Sequence, residues 1–296
     1  MQRRELRVTT EQAGRTAESL LRSELGFSDA RISRLKRRPM GVTRNGERIY
    51  TTVRLSEGDI LSAEVGDLDP HPTAAPVTMP LSIVFEDEWL LVIDKPAGLA
   101  VQPTRDPEEL CLENGLAAYL GADTCPHPAS RLDKMTSGLM TVAKSGYVHE
   151  LLKREMHTPA FQKEYRGIAV GTVTPADGFV DAPIGFYEGS SYRRAIRPDG
   201  SPSLTEYATV RNTGGLTLLR LIPHTGRTHQ LRLHMASVGF PLAGDFLYGT
   251  ADSSLIGRAA LHSYALTLVH PVTGETLSFT SPLPEDMARL VGPEAD

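Results

Sequence analysis

The sequence predicts an α+β protein. Its large domain should be a mixed, mainly antiparallel sheet with flanking helices, preceded by a small α+β domain. Strand-like apolar runs separated by turn signals dominate residues 81–284. Helical periodicity is confined to a few short stretches there, with no alternating strand-helix repeat of a parallel α/β fold. Pro70, Pro72, Pro76 and Pro80 make residues 67–80 a semi-rigid linker between a domain at 1–66 and one at 81–296.

In the first domain, Ala17, Leu20, Leu21 and Leu25 recur at helical spacing. Gly26 suits a stop, and Ser28 can cap a second helix that holds Ile32 and Leu35 and ends at Pro39. Asn45-Gly46, between Val42-Thr43 and Ile49-Tyr50, is a strong hairpin-turn signal. Gly58-Asp59 then leads into an alternating run over 60–65. In the large domain strands are expected over 81–86, 89–94, 139–143, 165–173, 216–222, 264–270 and 276–280. Helices are expected at about 114–120, 146–156 and 228–238. Residues 285–296 read as a polar tail, or as one short helix over 284–291.

The 296 residues hold 40% hydrophobic and 23% charged side chains, ordinary values for a globular chain. No apolar run approaches the ~20 residues that span a bilayer, so no membrane partner is expected. The polar N-terminus lacks the apolar core of a signal peptide, which makes the cytoplasm the default location. Cys111 and Cys125 form neither a metal-type pair nor a disulfide framework and should stay reduced. The net charge of −5 argues against indiscriminate nucleic-acid binding. Residues 1–66, however, carry 13 Lys and Arg against 9 Asp and Glu, a net of +4, which leaves −9 for the remainder. Arg31, Arg34, Lys36, Arg37 and Arg38 fall within eight positions with no intervening acid. Such a run is either a solvated face or a phosphate-attracting cluster.

The most informative stretch is Arg131-Leu132-Asp133-Lys134-Met135-Thr136-Ser137-Gly138, followed by the apolar run 139–143. It sets one carboxylate between two cations at the entrance to a strand, which favours the charged form. The eight residues resemble the catalytic motif of the RluA-type pseudouridine synthases, in which the aspartate is the nucleophile. A second block supports the resemblance: Thr225-Gly226-Arg227-Thr228-His229-Gln230-Leu231-Arg232-Leu233-His234, then Gly239-Phe240-Pro241 and Gly244-Asp245-Phe246-Leu247-Tyr248-Gly249. Glu86-Asp87, Lys95-Pro96-Ala97-Gly98, Lys163-Glu164-Tyr165, Leu261-His262 and His270-Pro271 fill the gaps in the family's order. The resemblance covers residues 81 to about 284. Residues 1–66 are similar to the S-four type of ribosomal-protein RNA-binding module.

The resemblance implies a pseudouridine synthase fold and an enzyme that isomerises uridines in structured RNA, ribosomal or transfer RNA or both, by base flipping. The reaction breaks an N-glycosidic bond and rejoins the base through carbon 5, with no redox change. No cofactor and no metal is therefore expected. Asp133 would act as nucleophile and Arg232 as the guanidinium that organises it, on a helix capped by Thr228 and ended by Gly239. Tyr165 would stack on the extruded base near the proton that leaves carbon 5. Arg131 resembles the arginine that fills the gap left by the flipped nucleotide. Lys95 and Lys163 are candidates for phosphate contact or site support, and Arg34, Arg37 and Arg38 for phosphate contact in the N-terminal module. One departure is Ser130 where the family usually has histidine, with His127 three residues earlier. His224, His229 and His234 do not align on one helix face, so supporting or RNA-contact roles fit them better than a metal site. RNA is the expected partner, no protein partner is implied, and the chain should be a monomer. The rival readings are a non-catalytic RNA-binding factor and a glycosidic hydrolase. The hydrolase would need a second carboxylate, for which only Asp94 and Asp245 offer themselves.

Overall fold

The structure, a computed structural model, describes residues 2–68, 72–106, 108–122, 124–249 and 255–292. Pro70 of the linker and the last four residues of the tail lie outside the described residues. The N-terminal part runs β1 (Arg3–Arg7), α1 (Ala17–Ser23), α2 (Asp29–Leu35), β2 (Val42–Arg44), β3 (Glu47–Arg48) and β4 (Ile60–Glu64). Its four strands pair in the order β1-β4-β2-β3. The helix starts follow from side-chain caps: Thr16 accepts from the Ser19 N–H and Ser28 from the Arg31 N–H. Asn45 and Gly46 both have positive φ, 53° and 85°, as a two-residue hairpin turn requires. β1 is absent from the sequence expectation. It carries one apolar residue, Leu6, and is held by antiparallel pairing with β4 rather than by an apolar face.

The large domain continues with β5 (Ile83–Glu86), β6 (Leu90–Lys95), α3 (Leu112–Leu120), β7 (His127–Pro128), β8 (Ser137–Ala143), α4 (Gly146–Glu155) and β9 (Gln162–Val170). Then follow β10 (Asp177–Asp181), β11 (Ile184–Phe186), β12 (Arg194–Ile196), β13 (Leu204–Thr213), β14 (Leu216–Pro223) and α5 (Gln230–Ser237). β15 (Leu261–Val269), β16 (Thr276–Thr280) and α6 (Glu285–Val291) complete it. A mixed ten-stranded sheet runs β10-β13-β14-β9-β15-β8-β6-β5, with β16 on β15 and β7 on β8, while β11 and β12 form a separate hairpin. All pairs are antiparallel except β8 with β15. That parallel contact sets His262 against Ser137 and Ser263 against Gly138. On its other edge β15 places Ser263 against Tyr165 of β9. The strand after Asp133 and the strand of Tyr165 are therefore held one strand apart.

The central strands are buried on both faces. Leu90 and Val92 of β6 belong to one apolar cluster, Leu91 and Ile93 to another, which is why they read as a continuous run rather than an alternation. The first cluster joins the two halves of the chain: Leu20, Leu21, Leu35 and Leu61 pack with Leu90, Leu139 and Val148. Tyr147 of α4 stacks near Phe27 (4.7 Å between ring centres) and donates its hydroxyl to the Leu25 carbonyl (2.6 Å). Arg31 is buried against Tyr147 and donates to the Gly66 carbonyl (2.7 Å). Asp67 accepts from the backbone N–H groups of Cys125, just before β7, and of Gly146, the first residue of α4, and pairs with His127 (2.9 Å). His127 thus serves this joint and does not stand in for the histidine replaced by Ser130.

The proline-rich segment is strapped along α3. Asn114 exchanges hydrogen bonds with Ala75 and Val77, and Thr73 donates to Glu113. Gly115 makes room for the Met79 side chain, where a Cβ would come within 2.5 Å of it. Among the described residues, no helix is long and apolar enough to cross a membrane.

Because one apolar cluster spans both halves, they should unfold together. Leu21→Ala, at a position with no solvent exposure, should cost about 2–5 kcal/mol. Urea unfolding followed by tryptophan fluorescence (Trp89, in the large domain) and by circular dichroism should show one shared transition, displaced to lower urea. An unchanged fluorescence midpoint would mean that the halves are energetically separate.

Candidate active site

The loop 131–136 enters β8 through Thr136-Ser137-Gly138, and the last residue explains the small-residue signal. Gly138 has φ +109°, and a Cβ there would lie 2.3 Å from the Ser263 carbonyl oxygen. Only glycine lets β8 approach β15 this closely. The loop closes on itself where the Thr136 N–H donates to the Asp133 carbonyl (3.0 Å).

Two buried cations pin the loop from behind. Lys95 is fully buried and donates to the carbonyls of Pro96 (2.7 Å), Leu99 (2.8 Å) and Lys134 (3.2 Å). Burial pushes its ammonium down to about 8. Of the two readings of Lys95, phosphate contact and site support, an ammonium whose donors are spent on backbone carbonyls fits the second. Arg258 donates to the carbonyls of Met135 (3.2 Å) and Leu261 (3.1 Å), and its other edge forms a fork with Asp286 of α6 (2.7 and 2.9 Å). Arg258 belongs to no sequence motif beyond its place just before Leu261-His262, because its part is set by burial among backbone oxygens.

Arg232 projects from α5. Thr228 does not cap this helix, contrary to the expectation. The N-cap is His229, in a left-handed conformation with φ 59°, and no side chain caps it. The start is secured by Gln230 instead. Its amide accepts from the Arg227 N–H (3.0 Å) and donates to the Leu204 carbonyl (2.9 Å). His234 adds bonds to Thr205 and to the Ala182 carbonyl. Nε and one terminal nitrogen of Arg232 form a planar fork with Asp245 (2.8 and 2.7 Å), and the remaining nitrogen lies 3.3 Å from Oδ2 of Asp133. Asp245 has no exposed side-chain surface, against 27% for Asp133. Burial alone would raise the Asp245 carboxyl, but the Arg232 fork and the N–H groups of Leu247 and Tyr248 outweigh it and hold it below the ordinary range. Burial would likewise lower the Arg232 guanidinium, and its two carboxylate partners overcome that and raise it.

Tyr165 is buried beside Ser263, and burial, with a smaller contribution from Asp133, pushes its phenol up to about 12. The hydroxyl therefore stays protonated at neutral pH. Arg131 is exposed at the mouth of the loop. Lys163 lies over the Phe161 ring (5.3 Å), with its ammonium pushed down to about 8 by burial. Arg34 and Arg37 are exposed on the N-terminal module, Arg38 is half-buried and pairs with Glu64 (2.7 Å), and Lys36 pairs with Glu18 (2.7 Å). None of these module cations is bonded to Asp133. The histidines point to separate partners: His224 to Glu206, His229 to Tyr248 and His234 to Thr205. Among the described residues no group of three or more His, Cys, Asp or Glu is arranged to hold a metal ion. The second carboxylates considered for a hydrolase are both engaged, Asp245 by Arg232 and Asp94 by the Ser281 hydroxyl (2.6 Å).

Similarity to known proteins extends over most of the chain. A family model described as RNA pseudouridylate synthase matches residues 89–237. The Bacillus subtilis (strain 168) protein YjbO, named an uncharacterized RNA pseudouridine synthase, is 35% identical over 271 residues, 90% of this chain and 95% of that protein. Ribosomal large subunit pseudouridine synthase D of Yersinia pestis is 36% identical over 302 residues, covering 96% and 92%. Among solved structures, human RNA Pseudouridylate Synthase Domain Containing 4 aligns with a TM-score of 0.56 at 25% identity over 71% of this chain and 92% of that one.

The Arg232–Asp245 pair also sets an acid limit on stability. A carboxyl held low in the folded state stabilises above its unfolded value, near ~3.9, and this is lost as pH falls through the folded value. Asp245→Asn leaves a buried guanidinium half-paired and should cost about 3–5 kcal/mol at neutral pH. Urea midpoints measured from pH 7 to pH 3 should fall less steeply for the variant, and parallel curves would assign the acid loss to other carboxylates.

Proposed function

The chain belongs to the RNA pseudouridylate synthase family and isomerises uridine in RNA to pseudouridine, and from that premise we propose that Asp133 is its nucleophile, Arg232 the cation that orients it and Tyr165 the wall against which the flipped uracil stacks. The observation that carries this reading is the Arg232 guanidinium. Its fork is committed to a buried carboxylate, so its one remaining terminal nitrogen is aimed at an Asp133 that solvent can reach. Asp133 attacks the anomeric carbon, or otherwise triggers cleavage there, and the N-glycosidic bond gives its electron pair to the base. The base rotates, carbon 5 bonds to the anomeric carbon as the bond from Asp133 breaks and returns its electron pair to the carboxylate, the carbon-5 proton passes to solvent and N1 takes up a proton, so the product is an isomer. The protonated Tyr165 phenol donates during these steps, and its ring face offers stacking worth ~1–3 kcal/mol by analogy with single-stranded complexes. Arg131, exposed beside the loop, fills the space that the extruded nucleotide vacates.

The RNA we assign is ribosomal RNA of the large subunit, in the cytoplasm, acted on by a monomer. Support for the RNA comes from the relatives named ribosomal large subunit pseudouridine synthase D. The S-four-like module at 1–66 contributes phosphate contacts through the exposed Arg34 and Arg37, held in one position by the apolar cluster it shares with the large domain. Arg38, half-buried beside Glu64, contributes less.

Asp133→Asn should abolish pseudouridine formation on a fragment of ribosomal RNA while RNA affinity stays within about threefold. Measurable turnover by the purified variant would remove Asp133 from the nucleophile's role, and selective loss of pseudouridine from transfer RNA in a gene-deletion strain would redirect the substrate. Arg232→Lys keeps the charge and loses the fork, so single-turnover rates should fall before affinity does. The double variant Arg34→Gln/Arg37→Gln should reduce the salt dependence of binding, log K against log salt, by up to about 2. Equal slopes would place the phosphate contacts elsewhere.

A further inference from the structure

A hydrogen-bond chain leads from the hairpin of β11 and β12 to His229, whose ring lies beside the Asp133–Arg232 pair. The backbone N–H of Arg194, on β12, donates to the Tyr248 hydroxyl (2.9 Å), and that hydroxyl meets Nδ1 of His229 (2.9 Å). The opposite ring nitrogen, Nε2, lies 3.9 Å from Oδ2 of Asp133. His229 is held in place for this geometry. Its backbone is left-handed, a conformation that non-glycine residues adopt at a cost and that clusters at functional sites. Its ring packs edge-on against Tyr248, 5.7 Å between centres at 69°.

Hydrogen-bond arithmetic sets the tautomer, which is assigned from the network. The Tyr248 oxygen accepts from Arg194, so its own proton needs an acceptor, and Nδ1 is the acceptor in reach. Nδ1 is then unprotonated and Nε2 carries the hydrogen, directed at Asp133. A separation of 3.9 Å is too long for a hydrogen bond. Contacts of this kind often close only when the reacting complex assembles.

We propose that His229 is a positioning residue whose Nε2–H, set by Tyr248, joins Arg232 in holding Oδ2 of Asp133, so that Oδ1 is the oxygen presented to the sugar. The proposal rests on the reading of Asp133 as nucleophile and adds the orientation of its carboxylate. Two donors converging on one oxygen stop rotation about the carboxylate axis, which one guanidinium nitrogen alone does not. The hairpin enters the site through this chain as well: Arg194 supplies the backbone donor while its guanidinium lies 3.6 Å over the Phe186 ring.

The test compares His229→Gln with His229→Leu, both with long unbranched or γ-branched side chains at the same left-handed position. The amide N–H of glutamine can take the place of Nε2–H, and leucine offers no donor. Single-turnover rates at saturating ribosomal RNA fragment should fall about 10²-fold for His229→Leu and less than about tenfold for His229→Gln, with RNA dissociation constants unchanged for both. Nitrogen-15 NMR of the intact protein, with the His229 signals assigned by their loss in His229→Gln, should show the Nε2–H form. Tyr248→Phe should return His229 to a mixture of tautomers and lower the rate without altering RNA affinity. An Nδ1–H tautomer in the wild type, equal rates for the two His229 variants, or weakened RNA binding at an unchanged saturated rate would each overturn the proposal. If His229→Leu does not fold, the wild-type NMR spectrum and Tyr248→Phe still decide. Asp133→Asn run in parallel separates the failures. Turnover by that variant defeats the nucleophile reading itself, whereas a dead Asp133→Asn beside a fully active His229→Leu defeats only the positioning role.

Discussion

The site depends on one buried ion pair, the fork between Arg232 and Asp245. A guanidinium is planar and offers its donors in fixed directions. Once Nε and one terminal nitrogen are committed to Asp245, the remaining nitrogen has a single direction in which to donate, and Asp133 lies there. The pair would be costly if either member stood alone. Asp245 is compensated by two backbone N–H groups of the turn that follows it, and Arg232 by the second carboxylate. The Gly-Asp-x-x-Tyr segment is thus a device for aiming an arginine on a different element. Its tyrosine, Tyr248, extends the arrangement to His229.

A second constraint is steric. Asp133 and Tyr165 lie on segments separated by one strand, and β8 must come against β15 at Gly138 for that spacing to exist. Behind the loop, Lys95 and Arg258 hold consecutive carbonyls, those of Lys134 and Met135. Arg258 is itself fixed by Asp286 on the last helix. The Asp133 loop is therefore braced from residues near both ends of the large domain. The two braces bring positive charge behind a carboxylate whose front is open to solvent.

Much of this was legible in the sequence because it lies in short ordered motifs. Asp133, Arg232 and Tyr165 are brought to one place, as the resemblance implies, and the Asn45-Gly46 hairpin and the Ser28 cap follow from local chemistry alone. The misses share a physical reason, that local pattern does not report tertiary burial. Lys95 looks like a surface cation in sequence, yet its ammonium is enclosed by carbonyls from three loop residues. Thr228 has the right chemistry for a cap, but Gln230 reaches β13 first and leaves the N-cap to a left-handed His229. β1 and β13 carry many polar side chains and are held by ladder bonds to their neighbours, and β13 is interrupted by a register shift between Thr209 and Arg211. Prolines predict a spacer over 67–80 because composition reports stiffness, whereas attachment to α3 depends on Asn114 and on the absence of a side chain at Gly115.

The two faces of the central sheet divide the molecule's tasks. Leu91, Ile93 and Met140 pack on the face that also buries Tyr165, while Leu90, Val92 and Leu139 on the other face meet the N-terminal module. Every apolar residue of β6 and β8 thus packs into one cluster or the other. A module attached through a shared apolar cluster cannot swing as a tethered domain does, because separation would expose Leu20, Leu21 and Leu35 together with Leu90 and Leu139. The buried Arg31 and the Asp67–His127 pair add polar contacts that hold only at one relative orientation. An RNA that touches Arg34 or Arg37 on the module and presents a uridine to Asp133 must therefore fit a fixed spacing. RNA that lacks the matching shape cannot reach both the module's arginines and Asp133. In such an arrangement discrimination comes from geometry rather than from reading bases, which is how folded RNA is most often recognised.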